Sequence, residues 1–384
     1  MEIVYARQPL PAQWDAAIFL AGPTPRSADV ESWRPDALRA LERAGFSGVV
    51  FVPEDASGAF RGSYIDQVNW ERDALQASDV ILFWVPRELE TMPAFTTNVE
   101  FGTWASSGKV VLGYPTKAPK CRYLGWLADE HRVPLSHTLR NTVRAAIRHL
   151  GDPQPRSDGD RFVPLQVWRT PSFQSWRAAQ RAAGNRLDHA HVLWSFQPSR
   201  ADRPFAWIVK VKVWVAAEQR HKTNEWVFAR SDLSAVILHG PRADDWKQTT
   251  IALVREFRAP VRTADGFVHE LPGGSAYDPE LSPAAVAAEE VSEETGLALA
   301  PERLTPAGAR QLAGTLSSHH GHLFSAALTA DELDTLRQSA AAGTVFGACD
   351  SERTTIELWT VAEMMADPRV DWSTLGMVLS VLAP

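Results

Sequence analysis

A chain of 384 residues, 45% of them apolar, is long enough to bury two cores, and its length predicts two domains. A formal net charge of -7 excludes a general nucleic-acid binder, which sets clustered Lys and Arg against phosphates, and leaves small nucleosides and nucleotides as compatible ligands. Cys121 and Cys349 form neither a disulfide framework nor a CxxC metal site, so reducing cytoplasm is expected; no apolar run nears the roughly 20 residues of a membrane helix, and the opening MEIVYARQPLPAQWD lacks a signal-peptide pattern, so no membrane partner is expected.

Taken in order, AIFLA at residues 17–21 predicts a buried strand that Gly22 and Pro23 end. The loop GPTPRS follows, with Thr24, Arg26 and Ser27, and then a helix at about 31–44. A small-residue loop at the carboxyl end of a first strand is where open α/β sheets bind ligands, so Gly22 and Thr24 are candidates to hold a phosphate or sugar, with Arg26 as counter-charge. An ordinary strand-to-helix turn is the alternative. A strand at 48–52, a helix at about 64–77 and a continuous apolar strand at 80–85 come next, then a helix start at about Asn98, a strand at 110–114 and a helix near 136–150. This alternation predicts a doubly wound α/β domain. Glu100 falls in the first turn of the helix beside Asn98, where the helix dipole favours an ionised carboxylate. Such a group can attack an anomeric carbon and hold a glycosyl intermediate. Asp73 on the preceding helix is the candidate acid or sugar-binding carboxylate, and the ordinary alternative for Glu100 is a helix cap.

The strings IFLAGP, WERDALQASDVILFWVP and TTNVEFGTWASSGKVVLGYP resemble the nucleoside 2-deoxyribosyltransferase family and its nucleotide N-hydrolase relatives. The resemblance spans about residues 14–125. It implies Glu100 as nucleophile, Asp73 as the acid or hydroxyl-binding carboxylate, and Asp79 as a structural residue at a strand start; Asn98, beside Glu100 at the helix start, is a further candidate substrate contact. It also implies a homo-oligomer, because members of the family commonly build sites between subunits.

Residues 151–160, GDPQPRSDGD, are polar and aperiodic and read as a linker. Beyond it a helix at about 172–184 and strands at 191–196 and 206–216 are expected, the second alternating through WIVKVKVWV with Lys210 and Lys212 outward. Six tryptophans here, Trp168, Trp176, Trp194, Trp207, Trp214 and Trp226, are read as core or packing residues before a base-stacking surface. Strands at 235–238 and 250–257 follow. The grouped His319, His320 and His322 lack partners at metal-ligand spacing.

Residues 270–299, ELPGGSAYDPELSPAAVAAEEVSEETGLAL, hold a helix at 282–295 that Gly296 caps. Glu290, Glu293 and Glu294 stand at i, i+3 and i+4, so their carboxylates share a face suited to a hard divalent cation. Gly273 and Gly274 let the backbone come close to a ligand. The stretch resembles the Nudix box, and IALVREFRAPV before it resembles the ADP-ribose pyrophosphatase branch of that family. The resemblance implies Mg2+, or Mn2+, on Glu290, Glu293 and Glu294, diphosphate contacts from Arg255 and Arg258, and a catalytic carboxylate from a late loop, Glu352 before Asp350. Glu289 and Leu281 stand where the family has an arginine and its first glutamate.

The expected fold class is α/β: a doubly wound, flavodoxin-like parallel sheet over 1–150, then an α+β Nudix fold with a mixed sheet over 161–384, its box at about 273–297. The expected function is a two-domain cytoplasmic enzyme, joining Mg-dependent hydrolysis of an ADP-ribose- or NAD-like substrate to N-glycosidic cleavage or transfer on a nucleoside or nucleotide. In the alternative, the altered Nudix box senses a nucleotide and regulates the glycosidic domain.

Overall fold

A computed structural model describes residues 1–27, 29–56, 63–198, 203–275, 280–347 and 352–384. The chain is α/β and divides into two compact units, Met1–Phe228 and Ala229–Pro384. Among the described residues no helix is long and apolar enough to cross a membrane.

In the first unit the strands are β1 (Glu2–Tyr5), β2 (Gln13–Trp14), β3 (Ala17–Ala21), β4 (Val49–Val52), β5 (Val80–Trp84), β6 (Val110–Gly113), β7 (Leu135–Ser136), β8 (Arg156–Ser157), β9 (Arg186–Phe196), β10 (Ala206–Val215) and β11 (Arg220–Arg230). Its helices are α1 (Arg34–Arg43), α2 (Tyr64–Ala77), α3 (Phe95–Trp104), α4 (Arg122–Glu130), α5 (Leu139–Leu150), α6 (Leu165–Trp168) and α7 (Pro171–Ala182). Six strands form one parallel sheet in the order β1-β4-β3-β5-β6-β7. Every residue of β3, β4, β5 and β6 is buried, as a sheet covered on both faces requires. The edge strand β1 has no predicted counterpart, because EIVY buries one residue of four and shows no apolar run.

Residues 161–228, expected to extend the second domain, belong to the first compact unit. Arg156, inside the predicted linker, is the reason in part: its guanidinium meets both carboxylate oxygens of Asp79 at 2.8 and 2.6 Å, with both side chains buried. Asp79 also accepts from the backbone N–H groups of Ala17 (2.8 Å) and Leu165 (2.9 Å), so one carboxylate ties the sheet to the segment after the linker. Beyond it β9, β10 and β11 form a separate antiparallel sheet in the order β11-β10-β9.

The second unit holds β12 (Leu233–His239), β13 (Thr250–Phe257), β14 (Phe267–Glu270), β15 (Gly273–Gly274), β16 (Thr305–Gln311), β17 (His320–Ala327), β18 (Val345–Phe346) and β19 (Thr354–Thr360). Its helices are α8 (Pro283–Thr295), α9 (Ala330–Ala342), α10 (Val361–Ala366) and α11 (Trp372–Leu382). The sheet is mixed: β12 runs parallel to β17 and antiparallel to β13. Alternation on β12 decides the layers. Val236 and Leu238 pack under α8 and α9 in one core, while Ala235 and Ile237 pack under α10 and α11 in another.

Candidate active site

A cavity of about 980 Å³ opens in the first unit at the carboxyl end of β3. Gly22 leaves β3 with φ +150°, and a Cβ there would lie 2.2 Å from the Trp84 carbonyl oxygen, so the loop can pass only without a side chain. Arg34, 1% exposed, fastens that loop. It donates to the carbonyls of Leu20 (3.2 Å) and Gly22 (2.7 Å), to Thr24 Oγ1 (3.1 Å) and to the Glu54 carboxylate. Arg26 is exposed, with its guanidinium 5.5 Å from the centre of the Phe95 ring.

Glu100 lines the cavity, half-buried. Its helix starts at Phe95, with Ala94 as a left-handed N-cap, and not at Asn98. Glu100 therefore sits in the second turn, and dipole stabilisation of an ionised carboxylate is not what sets its titration. Burial first, then the negative charge of Glu71, push the carboxyl up to about 7, and the Arg34 charge opposes them. Glu71 is itself raised by burial, while Gln67 Nε2 donates to its Oε1 at 2.7 Å.

Tyr64, Gln67, Val68, Glu71 and Leu75 form one stripe of α2 along the cavity wall. Asp73 lies about 200° round the helix from Glu71. It is exposed, paired with Arg72 at 2.9 Å, and outside the lining. Asn98 is equally displaced from Glu100 on α3, and its Oδ1 accepts from Arg87. The structure thus brings together Gly22, Thr24, Arg26 and Glu100, and it places Glu71, not Asp73, beside the candidate nucleophile. Glu71 is legible in the sequence through helical period alone: it is the carboxylate on the stripe that holds Tyr64, Gln67 and Leu75.

Lys109 also reaches the cavity. Its Nζ donates to the carbonyls of Leu75 (2.6 Å), Gln76 (3.1 Å) and Ser78 (2.9 Å), at the carboxyl end of α2. Burial draws the amine down to about 7, whereas three carbonyl acceptors at a helix C-terminus favour the ammonium. The donor count decides for a cation that caps α2, since a neutral amine would leave an acceptor unpaired.

In the second unit Ser282 caps α8 by accepting from Ala285 N–H, and Gly296 ends the helix with φ +74°. The Gly pair before it has a steric cause. A Cβ on Gly273 would lie 2.4 Å from the Ser234 carbonyl oxygen, and one on Gly274 would lie 2.0 Å from Glu290 Oε1. Glu294 accepts from Gly273 N–H at 2.9 Å. Burial pushes Glu290 up to about 7, helped by the charges of Glu293 and Glu352, and pushes Glu294 up to about 8. Two half-buried carboxylates with oxygen donors suit a hard divalent cation, which commonly takes one or two carboxylates and completes its shell with water and phosphate. Glu293 is exposed, and among the described residues no group of three or more His, Cys, Asp or Glu is arranged to hold an ion. Glu352 is exposed, with its charge acting on Glu290 and Glu256; Asp350 lies outside the described residues.

The two arginines expected at a diphosphate part company. Arg258 meets Glu256 at 3.0 Å and Glu270 at 3.1 Å, and its charge acts on Glu294. Arg255 instead pairs with Asp265 at 3.3 Å and covers the Phe267 ring at 3.7 Å.

A parallel α/β sheet with a glycine loop at a strand's carboxyl end and a half-buried glutamate in the adjoining cavity has the arrangement in which open α/β sheets bind small molecules. Residues 15–118 match the family model described as nucleoside 2-deoxyribosyltransferase like, so the first unit carries a domain of that type. No Nudix family model matches the second unit. No curated protein matches the chain.

Proposed function

We propose that the first unit breaks the N-glycosidic bond of a nucleoside or nucleotide, with Glu100 as nucleophile and Glu71 as the proton-carrying carboxylate. The observation that carries this reading is Glu100 on the wall of the cavity with its carboxyl held near 7 by burial and by Glu71. An ionised Glu100 oxygen attacks the anomeric carbon, and the C–N electron pair leaves with the base, which takes a proton from Glu71. Water then opens the glycosyl ester and gives its proton to Glu71, which completes hydrolysis. An incoming base that loses its N–H proton to Glu71 completes transfer instead. Subunit-built sites in the resembled family extend the proposal to a homo-oligomer.

For the second unit the reading is Mg-dependent hydrolysis of a nucleoside diphosphate-linked substrate, ADP-ribose- or NAD-like, with Mn2+ as a substitute ion. It rests on Glu290 and Glu294 pressed against the Gly273–Gly274 backbone. When bound, the ion supplies charge neutralisation at the diphosphate. Glu290 and Glu294 would hold it, Gly273 N–H orients Glu294, and Arg258 stands within charge reach of Glu294.

Product chromatography tests both halves. The protein is incubated with deoxynucleosides, nucleoside monophosphates, NAD and ADP-ribose, with and without Mg2+, beside Glu100→Gln and Glu294→Gln. Free base that disappears in Glu100→Gln supports the first reading. AMP from ADP-ribose that needs Mg2+ and Glu294 supports the second, and tight nucleotide binding without product would leave a sensor in its place.

A further inference from the structure

Five residues of β9, His191 to Ser195, line the cavity that holds Glu100, although they lie far outside the matched residues 15–118. β9 is the edge of its sheet. Its pairing with β10 sets Lys210 opposite His191, Val209 opposite Val192 and Ile208 opposite Trp194, so Leu193 is an extra, bulged residue. In a regular strand His191 and Trp194 would point to opposite faces, because side chains alternate. The bulge moves Trp194 onto the face of His191, away from the side on which Val209 and Val211 are buried.

The chemistry of the two side chains is complementary. Trp194 is 47% exposed and stacks with the equally exposed Phe196, ring planes 7° apart and centroids at 6.2 Å. A flat aromatic surface at a cavity's rim, left uncovered by the fold, suits another π-system. His191 is half-buried, and burial first, then the Lys109 charge, lower its pKa. A neutral imidazole offers one donor and one acceptor, which matches the mixed edge of a nucleobase.

We propose that β9 is the wall that reads the base: Trp194 stacks on the nucleobase of the substrate and His191 hydrogen-bonds its edge. This rests on Glu100 being the glycosidic nucleophile, and its test keeps the two apart. Purine and pyrimidine nucleosides and their monophosphates are titrated calorimetrically into full-length Glu100→Gln, and into the same protein carrying Trp194→Ala, Trp194→Phe or His191→Ala. Trp194→Ala is expected to weaken binding by about 10- to 100-fold and Trp194→Phe by only a few-fold. His191→Ala is expected to flatten the preference among bases. With Glu100 intact, base release by Trp194→Ala should show a raised KM and a kcat within about threefold of wild type. Unchanged affinity and base preference in Trp194→Ala and His191→Ala overturn the proposal, as does the absence of any binding to Glu100→Gln. Base release that survives Glu100→Gln sinks the nucleophile assignment and leaves the binding readout of the wall intact.

Discussion

Replacing Glu100 by Gln should stabilise the first unit in a way that depends on pH. In the folded chain the Glu100 carboxyl holds its proton to about 7, against an ordinary value of 4.5. A raised carboxyl contributes stability below its unfolded value, and that contribution is lost as pH rises from about 4.5 through about 7. At 1.36 kcal/mol per pH unit, the shift opposes folding by about 3 kcal/mol at pH 8.5, where the buried carboxyl is ionised, and by about 1 kcal/mol at pH 5, where folding must protonate a carboxyl that the unfolded chain largely ionises. Glutamine, near in shape and never charged, removes both. Because the chain has two units, a single melting curve does not isolate the effect, so urea-dependent hydrogen exchange of the β3, β5 and β6 amides is the assay. The Glu100→Gln advantage should grow from about 1 kcal/mol at pH 5 to about 3 kcal/mol at pH 8.5. An equal difference at both pH values would refute burial as the cause, and destabilisation at pH 8.5 would show that the charge is compensated in the folded site.

Activity should follow the same ionisation, with base release rising as pH increases through about 7 and absent in Glu100→Gln. Arg34→Met should move that midpoint upward, because the Arg34 charge holds Glu100 down, and it should loosen the Gly22 loop; pH-rate profiles and proteolysis measure the two effects. Asp79→Ala should lower stability by about 3–5 kcal/mol, since it leaves the buried Arg156 charge with backbone carbonyls alone and no countercharge. The double variant Asp79→Ala, Arg156→Met should recover part of the loss in the same exchange measurement. Gly274→Ala drives a methyl into the Glu290 carboxylate, and Mn2+ binding followed by electron paramagnetic resonance should weaken by about tenfold or more.

The sequence by itself determined the elements whose cause is local. Apolar runs at Ala17–Ala21 and Val80–Trp84, the Ser282 cap and the left-handed Gly296 appear where composition and capping chemistry put them, since each depends on near neighbours in the chain. Glu100 was legible as a candidate for the same reason, through the string around it and its place after a sheet strand. What only the tertiary structure decided is which polar groups share an enclosed space. Helical phase separates Glu71 from Asp73 and Glu100 from Asn98, and phase becomes meaningful only when the buried side of each helix is known. Asp79 draws Arg156 and Leu165 onto the sheet across more than 70 residues of chain, which set the unit boundary beyond the apparent linker. A one-residue bulge at Leu193 turned Trp194, one of six tryptophans that composition consigns to packing, toward the cavity. Pairing register is a relation between two strands, so neither strand's sequence contains it alone.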